Sequence, residues 1–278
     1  MIVSVSRRSD IPAFHGDKFM EQLRRGHVEV RNHFRPGAGR SVSLKKKDVD
    51  AFIFWSRDPR PFMAHLGEIE CGGYPYLFLL TATGYPSLLE PAVPRVDEVV
   101  AFFRELAARI GRRRVIWRYD PVLFTPVLDA GFHLENFSRL AGLISPFTSR
   151  VIVSFFDPYA KALRRLRKAG IDAEAAAGSP EQQLDLLERF ATIAESAGLE
   201  IQSCAEAALG DRARPLGGLA AGVKPGKCIN EGLLNDLFNL NLAYRKDPSQ
   251  RKLCLCQQSV DIGSYGACGH GCLYCYAR

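Results

Sequence analysis

The sequence has no long hydrophobic run. No stretch approaches the roughly 18 apolar residues of a membrane-spanning helix, and the first residues contain no apolar segment long enough for a signal peptide. We therefore expect a cytoplasmic protein without a membrane partner. In that reducing compartment, clustered cysteines serve as metal ligands more often than as disulfides.

Several common enzyme motifs are also missing. No GxxxxGK[ST] or GxGxxG motif follows a predicted strand, and the sequence has no HExxH or GxSxG pattern. These absences argue against a P-loop nucleotidase, a Rossmann dinucleotide enzyme, a zincin protease and a hydrolase with a nucleophile elbow. The hypothesis of a hydrolase would therefore depend only on carboxylates of the barrel.

What is present is a globular composition with a local excess of positive charge. The 278 residues are 47% hydrophobic and 24% charged, and the length suits one α/β barrel of about 250 residues. The net charge of +7 belongs entirely to residues 1–47, which hold 11 Lys and Arg against 4 Asp and Glu. This segment is either a solvated surface or a face for a phosphate-bearing partner such as nucleic acid.

Runs of apolar residues alternate with helical patterns along the chain. We expect a single parallel (β/α) barrel of the TIM type over residues 1–278, with residues 204–278 supplying a cysteine-rich iron–sulfur segment. A long functional loop is predicted at Gly210–Lys227. The predicted strands are Ile2–Ser6, Val28–Arg31, Val49–Trp55, Tyr76–Thr81, Arg114–Tyr119, Val151–Phe155, Glu200–Ser203 and Ser259–Ile262, and the clearest helices are Arg95–Ile110, Leu134–Leu143, Tyr159–Ala169 and Pro180–Ala197.

Polar residues follow most of these strands, where the chemistry of a barrel collects. We predict catalytic roles for Arg7, Arg118 and Asp120. The predicted cofactor-binding residues are Ser6, Arg8, Arg57 and Thr81, although each charged residue could instead belong to a structural ion pair. Further candidates at strand ends are Asp10, Trp55, Ser56, Thr83, Asp157, Cys204 and Glu206.

The strongest motif is CGHGCLYC, in which Cys268, Cys272 and Cys275 have CxxxCxxC spacing. Thiolates are soft ligands that suit zinc or iron–sulfur clusters. Three of them on a four-iron cubane leave one iron open, as catalytic metal sites require. The glycines of the loop, Gly266, Gly269 and Gly271, allow the backbone to turn tightly around such a centre.

YGACGHGCLYCYAR resembles the cluster loop of radical SAM enzymes, most closely the spore photoproduct lyase-like branch. The resemblance implies that Cys268, Cys272 and Cys275 hold a 4Fe-4S cluster whose open iron binds S-adenosyl-L-methionine. Reductive cleavage of that cofactor, with electrons from a donor such as flavodoxin or ferredoxin, would yield a 5′-deoxyadenosyl radical that abstracts hydrogen from the substrate.

Two further segments, AFIFWSRDPRPFMAHL and LEPAVPRVDEVVAFFRELAARIGRRRVIWRYDP, resemble parts of the same branch. Here the cluster loop comes last instead of first, so the order resembles a circular permutation. Barrel termini that meet in space tolerate such a change. Over its full length the chain resembles the uncharacterised DUF1848 family, which has a cysteine-rich tail.

Four more cysteines lie in or before the tail: Cys204, Cys228, Cys254 and Cys256. They predict a closed site, either an auxiliary four-iron cluster or a structural zinc, with buried thiols as the simple alternative for Cys204 and Cys228. His270 could hydrogen-bond the cluster, replace a thiolate or face solvent. We expect Tyr274 and Tyr276 to shield the cluster from water, and Cys71 to be incidental.

The leading hypothesis is a radical SAM-like oxidoreductase or lyase acting on an unidentified small-molecule or nucleic-acid substrate. The main alternative is a non-catalytic iron–sulfur protein, either an electron carrier or a nucleic-acid binder that uses the basic segment. A weaker alternative is a zinc protein on a hydrolytic barrel.

Overall fold

Eight parallel strands form the central sheet of the computed structural model, which describes residues 1–31, 39–173, 175–204 and 222–278. Most residues of the longer strands are buried on both faces, as expected where both faces of a sheet are covered. Their bounds are β1 Ile2–Val5, β4 Ala51–Ser56, β5 Tyr76–Thr81, β6 Val115–Val122, β7 Arg150–Phe155, β8 Glu200–Ser203, β9 Lys224–Pro225 and β10 Val260–Asp261.

The strand order is β10-β1-β4-β5-β6-β7-β8-β9, so the last strand lies beside the first. Val3 pairs with Val260 and Ser4 with Asp261. The predicted strand at Ser259–Ile262 is therefore confirmed as a neighbour of β1. Within the described ranges β9 and β10 are the two edges of the sheet, and closure into a barrel stays a prediction.

The predicted second barrel strand is wrong. His27–Arg31 forms β2, which pairs antiparallel with β3 at Gly39–Ser43 in a separate two-stranded sheet. Its residues alternate between exposed and buried, the pattern of a hairpin with one covered face. The eight-stranded sheet includes β9 in place of this strand. β9 is a two-residue exposed strand that pairs with β8 and was not predicted.

Helices connect the parallel strands, and the four clearest predicted helices are confirmed. Ser179 caps the helix Pro180–Ser196 through a capping box with Gln182, and Asp129 caps the helix Ala130–Ile144 by accepting from the amide of Phe132. The described helices are α1 Ile11–Phe14, α2 Gly16–Arg25, α3 Arg60–Met63, α4 Leu66–Cys71, α5 Val96–Ile110, α6 Ala130–Ile144, α7 Ala160–Lys168, α8 Pro180–Ser196 and α9 Glu231–Phe238.

The two faces of the sheet bury different sets of side chains. One face packs Phe52, Phe78 and Trp117 against α2, α5, α6 and α8. The opposite face packs Ile53 and Leu79 with Leu234 of α9 and with the cysteines of residues 204–256. The alternation of side chains along each strand thus directs one set toward the helices and the other toward the cysteines.

Two predicted features lie at least partly outside the described residues. Glu206 is outside them, as is most of the predicted loop Gly210–Lys227. Among the residues described, no helix has the length and hydrophobicity needed to cross a membrane.

Candidate cysteine-lined site

A cavity of about 870 Å³ lies where the parallel strands end. It brings together most of the predicted strand-end residues with all seven cysteines of residues 204–278. Thr83 lies beside the cavity lining, and the exposed Cys71 at the end of α4 is not part of it. The predicted residues that line it are Ser6, Arg7, Arg8, Asp10, Trp55, Ser56, Arg57, Thr81, Arg118, Asp120, Asp157, Cys204, Cys228, Cys254, Cys256, Cys268, Cys272 and Cys275.

Parallel pairing of β8 with β9 brings the first two of these cysteines together. The amide of Gly226 donates to the Ser203 carbonyl at 2.7 Å, and the Sγ atoms of Cys204 and Cys228 are 3.9 Å apart. The segment containing Cys254 and Cys256 is aligned by the amide of Gln257, which donates to the Ile229 carbonyl at 2.9 Å. Three separate chain segments therefore meet at one point.

We call these four residues, Cys204, Cys228, Cys254 and Cys256, the cysteine tetrad. All are at most 5% exposed, and the Sγ atoms of Cys204, Cys254 and Cys256 all lie within 4.8 Å of one another. The hydrogen bonds among these thiols lower the pKa of Cys254 and of Cys256 and raise the pKa of Cys204, and the pKa of Cys228 is also raised, by its contact with Cys256 and by burial. This buried group can hold a metal, because thiolates are the ligand form of cysteine.

The C-terminal loop containing Cys268, Cys272 and Cys275, here the cluster loop, is bound by backbone contacts to the segment that follows β5. Leu273 donates to the Leu89 carbonyl at 3.0 Å, and Ala92 donates to the His270 carbonyl at 3.1 Å. Gly271 has a φ of +73°, a conformation that favours glycine. At Gly269 a Cβ would lie 2.7 Å from the ring of Phe14, so a side chain there would require this ring to move.

The three thiols of the cluster loop have different environments. Cys272 is buried, and burial raises the pKa of its thiol to about 12. Cys268 and Cys275 are partly exposed toward the cavity. The amide of Ala277 donates to Cys275 Sγ at 3.4 Å, a contact of the kind that tunes cluster thiolates.

His270 neither faces solvent nor points toward the cysteine sulfurs. Its Nε2 lies 2.7 Å from Asp10 Oδ2, and its Nδ1 lies 3.0 Å from the Ala92 carbonyl. Asp10 also accepts from the Ser56 hydroxyl at 2.8 Å and from the Arg57 amide at 2.7 Å. The imidazole therefore ties the cluster loop to the ends of β1 and β4.

A buried polar network behind Cys272 contains a residue that the sequence analysis missed. Glu90 accepts from the Arg57 guanidinium at 2.8 Å and from the hydroxyls of Thr83 and Tyr274. Arg57 also donates to the Tyr274 hydroxyl at 2.6 Å. Burial raises the pKa of Tyr274, so this phenol stays neutral. A signal was available, since Glu90 is the second residue of the quoted LEPAVP segment.

The two arginines predicted to be catalytic, Arg7 and Arg118, both lie against the indole ring of Trp55. The guanidinium carbons of Arg7 and Arg118 are 5.5 and 4.8 Å from the centre of the Trp55 ring. Arg118 is paired with Asp120, and Arg7 lies 3.4 Å from an oxygen of Asp247. Burial lowers the pKa of Arg118, but Asp120 and the thiols of Cys228 and Cys204 produce a net upward shift.

Asp261 is the second charged residue that the sequence analysis missed, although it lies in the predicted last strand. It accepts from the hydroxyls of Ser4 and Ser6 and from the amide of Arg7, all within 2.8 Å. It also lies 3.9 Å from Arg8, whose side chain is 30% exposed. Ser6 thus supports the junction of β1 and β10.

The basic N-terminal segment does not form one continuous patch of unpaired cations in the part that is described. Arg7 and Arg8 face the cavity, whereas Arg24 pairs with Glu68 and Arg25 with Glu21. A nucleic-acid partner stays a prediction, because nothing in these contacts tests it.

The fold and site define an α/β protein with a parallel eight-stranded sheet and a cysteine-lined cavity at the carboxyl ends of its strands. The family model of a domain of unknown function, DUF1848, matches residues 2–277, and the chain belongs to that family. Comparison with curated proteins finds no match. Among solved structures, a putative short-chain dehydrogenase/reductase from Burkholderia xenovorans is 14% identical over 94% of this chain and 95% of that chain, with a TM-score of 0.26. That TM-score is too low to carry an argument about fold or function.

Proposed function

We propose that the protein is an iron–sulfur enzyme of the radical SAM type. Cys268, Cys272 and Cys275 would hold a 4Fe-4S cluster with one open iron at the cavity. The observation that carries this proposal is that all three thiols line the same cavity as the strand-end arginines and aspartates. A cluster with an open iron needs such a cavity, because cofactor and substrate must both reach it.

A 4Fe-4S cluster held by Cys268, Cys272 and Cys275 would supply one-electron reduction of S-adenosyl-L-methionine, and through it hydrogen abstraction from the substrate, with the electron coming from a donor such as flavodoxin or ferredoxin. The protein's own residues bind and orient these molecules. We assign Arg8 and Asp120 to ligand contact, since their side chains are 30% and 20% exposed.

Arg57 is a positioning residue in this proposal. Its guanidinium binds Glu90 and Tyr274, and its amide binds Asp10, so it connects both anchors of the cluster loop. Thr81 lines the cavity at the end of β5 and would contact the cofactor. Ser6, Arg7 and Arg118 would shape the cavity wall.

We further propose that residues 1–278 form one (β/α) barrel domain, in which the cavity is the mouth of the barrel. Active sites of such barrels lie at the carboxyl ends of the strands. The permuted order, with the cluster loop after β10 instead of after β1, would leave the site in the same place because β10 and β1 are neighbours.

Anaerobic incubation of the iron-loaded protein with S-adenosyl-L-methionine and dithionite tests this function. We expect release of 5′-deoxyadenosine, its loss in Cys272→Ser, and its retention in Cys71→Ser, which alters an exposed cysteine outside the cavity. A fully loaded, reducible cluster that releases no 5′-deoxyadenosine would contradict the proposal.

A further inference from the structure

The cysteine tetrad has a geometry different from that of the cluster loop. We propose that Cys204, Cys228, Cys254 and Cys256 bind one tetrahedral Zn²⁺ ion and not a second iron–sulfur cluster. This inference is independent of the proposed function, because it concerns a separate set of ligands.

The Sγ atoms of Cys204, Cys254 and Cys256 form a compact group of the size expected for ligands on a single ion, and Cys228 lies beside Cys204. Metal–sulfur bonds of 2.3 Å in a tetrahedron place the sulfurs about 3.8 Å apart. The Sγ atoms of Cys204 and Cys228 are 3.9 Å apart, and those of Cys204, Cys254 and Cys256 lie within 4.8 Å of one another. In a four-iron cubane each thiolate binds a different iron, so the ligand sulfurs must be farther apart.

The cluster loop provides a contrast within the same molecule. Cys268, Cys272 and Cys275 line one cavity, yet among the described residues they do not form a comparably tight group of sulfurs. The described part of the chain therefore has the compact spacing of single-ion ligands among residues 204–256 and not in the cluster loop.

The surroundings of the tetrad are suited to a site with excess negative charge. Four thiolates on one Zn²⁺ ion leave a net charge of −2, and Arg118 lies near Cys204 and Cys228 while Arg7 lies near Cys256 and Cys228. Each guanidinium group also has a carboxylate neighbour, Asp247 for Arg7 and Asp120 for Arg118.

Buried donors beside the tetrad support the same assignment. Trp55 packs in the apolar cluster that contains the four cysteines. Its Nε1, the Nε of Arg118 and the hydroxyl of Ser203 are buried without a hydrogen-bond partner among the described residues. Buried donors normally find acceptors, and metal-bound thiolates are strong ones.

A closed four-thiolate site has no open position for a substrate. Zinc has no redox chemistry, so the tetrad would hold the chain segments around the cavity together and would not transfer electrons. It would connect the end of β8, the segment after β9 and the segment before β10.

Metal analysis of the full chain, purified anaerobically, tests the assignment. We expect about one zinc per chain in the wild type. Cys254→Ser should lose the zinc and keep iron and sulfide, whereas Cys272→Ser should lose the iron and keep the zinc. Cys71→Ser is the matched control and should keep both metals.

Failure of the two proposals can be told apart, because each metal is assigned to its own cysteines. Iron and sulfide that survive in Cys272→Ser but disappear in Cys254→Ser would overturn the zinc assignment. If Cys254→Ser does not fold, a second experiment substitutes Co²⁺ for Zn²⁺ in the Cys272→Ser protein and records its visible absorption spectrum. Intense visible bands of tetrahedral, thiolate-bound Co²⁺ support the proposal, and their absence contradicts it.

Discussion

Glu90 illustrates at the residue scale how a buried carboxylate organises the site through the residues that it contacts. It is 4% exposed and accepts hydrogen bonds from Arg57, Thr83 and Tyr274. Because a buried guanidinium without a counter-charge is very unfavourable, Arg57 depends on this carboxylate. The contact also keeps Tyr274 against the cavity beside Cys272.

We predict that Glu90→Ala destabilises the protein by about 3–5 kcal/mol, the cost of leaving a buried charge unpaired. Glu90→Gln should be less damaging, since the amide oxygen still accepts a hydrogen bond. Urea unfolding measures both variants, with Glu98→Gln as the control at the exposed partner of Arg60. A Glu90→Ala protein as stable as Glu98→Gln would refute this account of Arg57.

At the scale of secondary-structure elements, the close approach of β8 and β9 brings together Cys204 and Cys228, two of the four cysteines of the tetrad. A Cβ at Gly226 would lie 2.6 Å from the Ser203 carbonyl oxygen and 3.1 Å from the Cys204 amide nitrogen. Both neighbours are backbone atoms, so only movement of a strand could relieve the clash. Such movement would separate Cys204 from Cys228.

We predict that Gly226→Ala lowers zinc content and destabilises the protein by about 1–3 kcal/mol, the usual cost of overpacking. Elemental analysis and urea unfolding measure the two effects. The matched control is Gly142→Ala in α6, where no described atom lies within 4 Å of the added Cβ. That variant should keep its zinc and gain up to about 1 kcal/mol from helix propensity. Full zinc content in Gly226→Ala would contradict the role given to this glycine.

Strands and helices with a regular residue pattern lie close to where the sequence predicts them. The strands β4, β5 and β7 are nearly continuous apolar runs, and α5 to α8 have clear amphipathic periods, so their bounds lie close to the predicted ones. The second strand was wrong because HVEVR alternates polar and apolar residues, a hairpin signal that we assigned to the barrel. Strand β9 was missed because two exposed residues carry no pattern.

On the scale of the whole molecule, the tetrad joins parts of the chain that are far apart in sequence. A metal that binds only the folded state stabilises it by mass action, by about 4 kcal/mol when the free ion is at 1,000 times its Kd. The tetrad assembles only when β8, β9 and the segment before β10 are in place, so the unfolded chain lacks this site.

We predict that removing zinc with a chelator lowers the midpoint of thermal unfolding of the wild type, and that added zinc restores it. Differential scanning calorimetry measures the shift. Cys254→Ser should unfold at the same temperature with and without chelator, because it lacks the site. A wild-type protein that unfolds identically after complete zinc removal would show that the tetrad contributes nothing to stability as a metal site.

The sequence by itself determined the alternation of strands and helices, the CxxxCxxC motif and most of the residues at the strand ends, because each of these features depends on residues that are close together along the chain. Only the tertiary structure decided that Cys204 and Cys228 lie 3.9 Å apart, that Glu90 pairs with Arg57, and that His270 binds Asp10. The physical reason is that these contacts depend on strand register and on the packing of the cluster loop, which bring together residues that are distant along the chain.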